Sequence, residues 1–177
     1  HTSHYNIIAE TVDITAADEL YDALSNKRKF DYIYLAGHGK STCLGDEDGI
    51  FNITWGDIGE TICNADCLNP NAIIMLYCCK GGLNTITYQL MSACANIEYV
   101  CGAKQNVKNI DLIIGFNVFL YNVESRKIDP VIAAGKATKA TDIRFECFDR
   151  VESNPLYYRH YCITCNDGEE TQPLIQP

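Results

Sequence analysis

Two short apolar runs constrain this chain more than any other feature. Asp31–Ala36 (DYIYLA) and Ala72–Tyr77 (AIIMLY) each read as a buried strand, and the second is the most apolar. Helical patterns alternate with them. Thr15 is placed to cap a helix over Ala16–Ser25, with Asp18 at its third position and Leu20, Ala23 and Leu24 on its apolar face. Thr54, with Asp57 three residues on, opens a second helix. Further helices are expected over Asn84–Ala95, over Asn109–Val123 and from Asp129-Pro130, where proline suits the first helical position. Tyr5–Val12, Ile97–Cys101 and Tyr157–Thr164 read as additional strands. Cys43–Ile53 reads as a hairpin turning at Asp48-Gly49, and Asn64–Pro70 as a loop. Strands that alternate with helices imply an α/β fold, a mostly parallel sheet of about six strands with helices on both faces.

The 177 residues suit one domain, expected over 1–166, with 167–177 a polar, loose tail. The longest apolar stretch, Ile110–Val123, is broken by Asp111, Gly115, Asn117 and Asn122, so no membrane partner is expected. A net charge of −9 disfavours a phosphate-backbone partner, which requires a basic stripe. The small cluster Lys27–Arg28–Lys29 reads as a solvated helix end. Ten cysteines exceed what most cytosolic chains carry. Cys78, Cys94, Cys101 and Cys147 nevertheless sit inside apolar runs, as buried free thiols do. A reduced, cytoplasmic setting is therefore expected, without disulfides.

The two apolar strands end in the same way. One runs into Gly37-His38-Gly39 and the other into Cys78-Cys79-Lys80-Gly81-Gly82. Sites in parallel α/β sheets form outside the carboxyl ends of the strands, so neighbouring strands would bring His38 and Cys79 face to face. An imidazole beside a thiol raises its thiolate fraction and can protonate a leaving amine. Glycines at both ends let the backbone turn and present N–H groups, each worth about 3–4 kcal/mol to a developing oxyanion. Side chains alternate along a strand, so Cys78 points the opposite way from Cys79.

These segments resemble the CHAT domain, the caspase- and separase-like cysteine peptidases of clan CD. That family carries an apolar strand ending in His-Gly, here YLAGHG, and a later strand ending in Ser-Ala-Cys-x-Thr-Gly, here Tyr77-Cys78-Cys79-Lys80-Gly81-Gly82. LGDEDGIFNITWGDI is similar to the family's hairpin and following helix. VCGAKQNV is similar to its strand and substrate loop, and Asn154–Tyr158 to its closing strand. The likeness spans roughly residues 5–166. It departs from the pattern at Tyr77-Cys78 in place of Ser-Ala, at Lys80 and Gly81, and at Gln105 in place of a Trp.

The resemblance implies a caspase-like sheet with Cys79 as nucleophile and His38 as acid/base. It implies an oxyanion hole from the N–H groups of Gly39 and Cys79, and substrate backbone bound along Ala103, Lys104, Gln105 and Asn106 as an added strand. No cofactor is implied. It further implies a protein or peptide substrate and an activating partner or regulatory region, in a defence or cell-death effector. Tyr77 falls at a pocket-wall position. Asp46 and Asp48, with Glu47 on the hairpin tip, and Asp111 are candidates for recognising a basic residue. An inactive scaffold or binding module is the alternative. Cys63-x3-Cys67 with His160-x-Cys162-x2-Cys165 is a weak zinc pattern, because residues 162 and 165 face opposite sides of a strand. No glycine-rich phosphate loop of the Walker or dinucleotide type is present.

Overall fold

A computed structural model of the chain describes residues 8–26, 28–150 and 158–160. The elements in order are α1 (Ala17–Leu24), β1 (Phe30–Ala36), β2 (His38–Gly39), β3 (Cys43–Gly45), β4 (Asn52–Thr54), α2 (Trp55–Ala65) and β5 (Leu68–Tyr77). They continue as α3 (Asn84–Ala93), β6 (Tyr99–Ala103), α4 (Asn109–Leu120), a π-helical turn at Tyr121–Ser125, α5 (Pro130–Thr141), β7 (Phe145–Arg150) and β8 (Tyr158–His160).

The architecture is α/β with a mixed sheet. β1, β5 and β6 pair in parallel, β7 joins β6 antiparallel, and β8 extends the order to β1-β5-β6-β7-β8. A small second sheet, β2-β3-β4, grows from the end of β1. Helices cover both faces, as the alternation predicts. Ile74 and Leu76 of β5 point to one face, where they pack with α1, α2 and α3 through Leu20, Trp55, Ile58, Ile86 and Leu90. Ile73 and Met75 point to the other, against Leu112, Phe116 and Phe119 of α4 and Ala133, Ala134 and Ala137 of α5. The period of two along one strand thus feeds two cores.

Local chemistry sets the boundaries. Thr54 caps α2 by accepting from Asp57 N–H, and Asp129 caps α5 by accepting from Val131 and Ile132 N–H with Pro130 next in line. At α1 the residue that reaches back is Glu19, not Asp18. Its carboxylate accepts from the N–H groups of Thr15 and Ala16, which holds it below the usual carboxylate range. The hairpin turns at Gly49, whose φ of 73° suits glycine.

Three readings require correction. Residues 8–12 form no strand, and the rest of Tyr5–Val12 lies outside the described residues. Asn64–Pro70 is not a loop. α2 ends at Asp66 in the left-handed conformation (φ 46°) and β5 begins at Leu68, so the turn is only two residues long. β7 has no counterpart in the pattern reading, yet it pairs with β6 over five rungs, Tyr99↔Asp149 to Ala103↔Phe145. Of Tyr157–Thr164, only 158–160 is described, and the expected tail 167–177 lies outside the described residues. No described helix is long and apolar enough to cross a membrane.

The basic cluster is committed locally. Arg28 pairs with Glu10 at 2.7 Å and Lys29 with Asp66 at 2.7 Å, while Lys27 lies outside the described residues.

Candidate active site

The register of β1 against β5 decides the geometry of the site. Ala36 pairs with Tyr77, so the two strands end level and their following residues, 37–39 and 78–82, leave side by side. Gly37 N–H donates to Tyr77 O at 3.4 Å. One step on, Gly39 lies flat against the partner loop. A β-carbon there would sit 2.3 Å from Cys79 O and 2.7 Å from Cys78 Sγ, so only glycine permits this approach. His38 and Cys79 are thereby held on adjacent strand ends.

The cysteine pair splits as the strand alternation requires. Cys78 continues the Ile74–Leu76 face, is 2% exposed, and packs into the first core. Burial pushes its thiol up to about 12. Cys79 continues the Ile73–Met75–Tyr77 face and is half-buried. Its Sγ sits between the Val107 N–H at 3.5 Å and the Val107 C=O at 3.6 Å. The imidazole of His38 is exposed, and no hydrogen bond joins it to Cys79 among the described residues.

The turn after Cys79 is built from its backbone. Lys80 adopts φ 61°, the left-handed region that a non-glycine residue seldom enters. Lys80 N–H donates to Gln105 O at 3.0 Å, Gly81 N–H to Cys78 O at 3.5 Å, and Gly82 N–H to Ala103 O at 2.9 Å. The Cys79 N–H has no such partner among the described residues, so it remains free to serve as one oxyanion donor. Gly39, the second expected donor, is also a rung of the β2–β3 ladder opposite Leu44.

The expected substrate segment lies against this turn. Ala103 is fully buried, and its C=O already accepts from Gly82. Lys104 N–H donates to Arg144 O at 2.8 Å, and Gln105 C=O accepts from Lys80. Those three backbone groups are therefore not available to an added substrate strand. The side chains of Gln105 and Asn106 are exposed. Lys104 Nζ turns inward to Glu146, with contacts of 3.1 and 2.9 Å to its two carboxylate oxygens, and Arg144 Nε stands 2.6 Å from the same group. Glu146 is 1% exposed, so two cations neutralise a buried carboxylate directly behind the turn.

The acidic candidates are dispersed. Asp46 closes the hairpin, accepting from Phe51 N–H at 3.2 Å while its own N–H donates to Phe51 O at 3.1 Å. Glu47 and Asp48 stand exposed at the hairpin tip. Asp111 lies in the first turn of α4, about 200° around the helix from Asn109. Asn109 is the residue that meets the site, where its side-chain oxygen accepts from Tyr77 Oη. Tyr77 stands beside Tyr34 of β1, ring centroids 5.1 Å apart, and Phe116 of α4 at 6.1 Å.

Sequence reasoning did not single out Val107, Asn109 or the Glu146 pair of cations. Val107 lies inside the quoted VCGAKQNV segment, and Glu146 sits in the strand that pattern reading passed over. Among the described residues no cluster of His, Cys, Asp and Glu could hold a metal ion. Cys67 is buried with its Sγ against Ile62 O at 3.8 Å, Cys63 faces Cys94, and Cys162 and Cys165 lie outside the described residues. No protein-family model matches the chain, and no curated protein matches it.

Proposed function

We propose that the chain is a cysteine endopeptidase of the caspase-like, CHAT-resembling kind, with Cys79 as nucleophile and His38 as acid/base. The observation that carries this reading is the close approach of Gly39 to Cys79 O, which sets two glycine-flanked reactive residues on level, adjacent strand ends.

The chemistry follows from those positions. The imidazole takes the thiol proton, and the thiolate attacks the carbonyl carbon of a peptide bond. The resulting oxyanion is met by the Cys79 N–H and by Gly39. The imidazolium gives its proton to the departing amine, leaving a thioester on Cys79. Water, deprotonated by His38, then hydrolyses the thioester and restores the thiol. Contact between His38 and Cys79 is completed in the substrate complex, since catalytic hydrogen bonds lengthen in its absence. By the resemblance, the domain serves as an effector module switched on by a partner or a regulatory region of a larger protein.

A diverse peptide library tests this reading, incubated with the wild type and with Cys79→Ala and His38→Ala. The expected result is cleavage by the wild type, lost in both variants. Cleavage that survives in Cys79→Ala removes the nucleophile assignment. A wild type that cleaves nothing, even with its native partners restored, transfers the assignment to a scaffold.

A further inference from the structure

We propose that the aromatic face formed by Tyr34, Tyr77 and Phe116 is the subsite for the substrate side chain next to the scissile bond, and that it selects large apolar residues, aromatic ones first. This rests on the reading of Cys79 as nucleophile.

β5 ends at Tyr77 and Cys79 follows two residues on, in the turn, so chain geometry keeps the two within about 7 Å. That is the reach of a side chain next to an attacked carbonyl. Cys79 Sγ meets Val107, which packs against the same core as Tyr77. The two are also linked through the opposite wall. Cys79 Sγ touches Val107, and two residues later Asn109 accepts from Tyr77 Oη. The Tyr77 hydroxyl is thus already bonded, and its ring face is what remains.

The rings form a continuous surface with a fixed base. Tyr34 lies 5.1 Å from Tyr77, tilted by 38°, and 5.8 Å from Phe116, edge-on at 69°. Phe116 is buried and braced edge-to-face by Phe145 at 5.3 Å and Phe119 at 6.5 Å. Above this base the surface is open. Tyr34 is 48% exposed and Ile113, one turn from Asn109 on α4, is 43% exposed. Three rings in tilted and edge-to-face contact offer further offset and edge positions to a fourth.

The charges expected to choose a basic residue are placed elsewhere. Asp46 is held in the hairpin, Glu47 and Asp48 stand at its tip, and Asp111 occupies a different side of α4 from Asn109. Glu124 accepts from Tyr32 Oη. A large apolar side chain is therefore the occupant that the face fits.

The test uses peptidyl acyloxymethyl ketones that differ only in the residue beside the warhead: Phe, Leu, Ala, Arg or Asp. The rate of Cys79 alkylation is read by intact mass and peptide mapping, on the wild type and on Tyr34→Ala, whose exposed site tolerates truncation. Phe is expected to react fastest, by about tenfold over Arg and Asp, and Tyr34→Ala to slow Phe and Leu about tenfold while leaving Ala nearly unchanged. Fastest reaction with Arg or Asp overturns the subsite, and so does a Tyr34→Ala variant that slows all five alike; both leave Cys79 as nucleophile. If no probe alkylates Cys79, the peptidase reading fails. Cys79→Ala titrated with N-acetyl-phenylalaninamide and N-acetyl-argininamide then decides the subsite alone. Shifts of the Tyr34 ring resonances with the first ligand only retain it as a binding site; their absence removes it.

Discussion

At the scale of single residues, the adjacent thiols separate structure from chemistry. Cys78 and Cys79 are one bond apart in sequence, yet the pleat sends one into the first core and leaves the other half-buried beside Val107. A thiol pushed up to about 12 stays protonated at neutral pH and does not attack. Iodoacetamide at pH 8 is accordingly expected to alkylate Cys79 at least about tenfold faster than Cys78, measured by peptide mapping. Cys78→Ala should keep peptide cleavage while lowering unfolding free energy by about 1–2 kcal/mol, because it leaves a small cavity in the first core. Cys79→Ala should do the reverse, losing cleavage with little change in stability. Equal alkylation of both thiols in the folded chain contradicts the split.

At the scale of elements, the site depends on backbones that touch. Gly82 and Gly102 meet where the turn after Cys79 crosses β6. A β-carbon on Gly102 would lie 2.6 Å from Gly81 C and 2.7 Å from Gly82 N, with backbone rather than flexible side chains in the way. Gly102→Ala is expected to cost about 2–3 kcal/mol and to abolish cleavage, because the turn that presents Cys79 must shift. Denaturant unfolding and peptide cleavage check the two halves of that statement; full stability with full activity contradicts it. The far end of α3, the helix that follows this turn, is fixed by one side chain. Arg150 of β7 donates to the C=O groups of Met91, Cys94 and Ile97. Arg150→Ala removes these bonds and the favourable charge at the helix C-terminus, with an expected loss of about 2–4 kcal/mol in urea unfolding. The elements also show where legibility failed. Pattern reading found β1 and β5 because their apolar residues run unbroken. It missed β7 because Glu146, Asp149 and Arg150 interrupt FECFDR. Glu146 is tolerated inside only because Lys104, forty-two positions earlier in the chain, and Arg144 neutralise it. No local window contains the Lys104 half of that compensation. Asn64–Pro70 misled in the other direction. Its asparagines and proline signal a loop, whereas Pro70 sits in β5 and the turn is confined to Asp66 and Cys67.

At the scale of the whole molecule, two cores flank one mixed sheet and bury several thiols together. Burial raises Cys78 to about 12 and Cys94 to about 11, and places Cys147, buried opposite Cys101, well above its ordinary value. In the unfolded chain these thiols ionise near pH 8.5–9. Above that pH the folded state therefore holds more protons than the unfolded state, and stability falls as pH rises. The urea midpoint should be insensitive to these thiols below pH 8 and should drop between pH 9 and 11, by an amount equivalent to about 2 kcal/mol for each buried thiol at pH 10.5. A midpoint that holds or rises across that window contradicts the buried thiols. The alternation of strands and helices, both strand-end motifs and the split of Cys78 from Cys79 were legible from sequence, since each depends on near neighbours. The aromatic face was not, because Tyr34, Tyr77 and Phe116 come together only through the β1–β5 register and the packing of α4. If Cys79 is the nucleophile, it carries the acyl group between the two half-reactions, and that intermediate can be trapped. The wild type is mixed with a set of N-acetyl amino-acid aryl esters, quenched in acid within seconds, and measured by intact mass and peptide mapping. One acyl adduct on Cys79 is expected, released by hydroxylamine, absent in Cys79→Ala and formed far more slowly in His38→Ala. Acylation centred on Cys43 or Cys63, the other half-buried thiols described, or no adduct on a folded chain, would contradict that assignment.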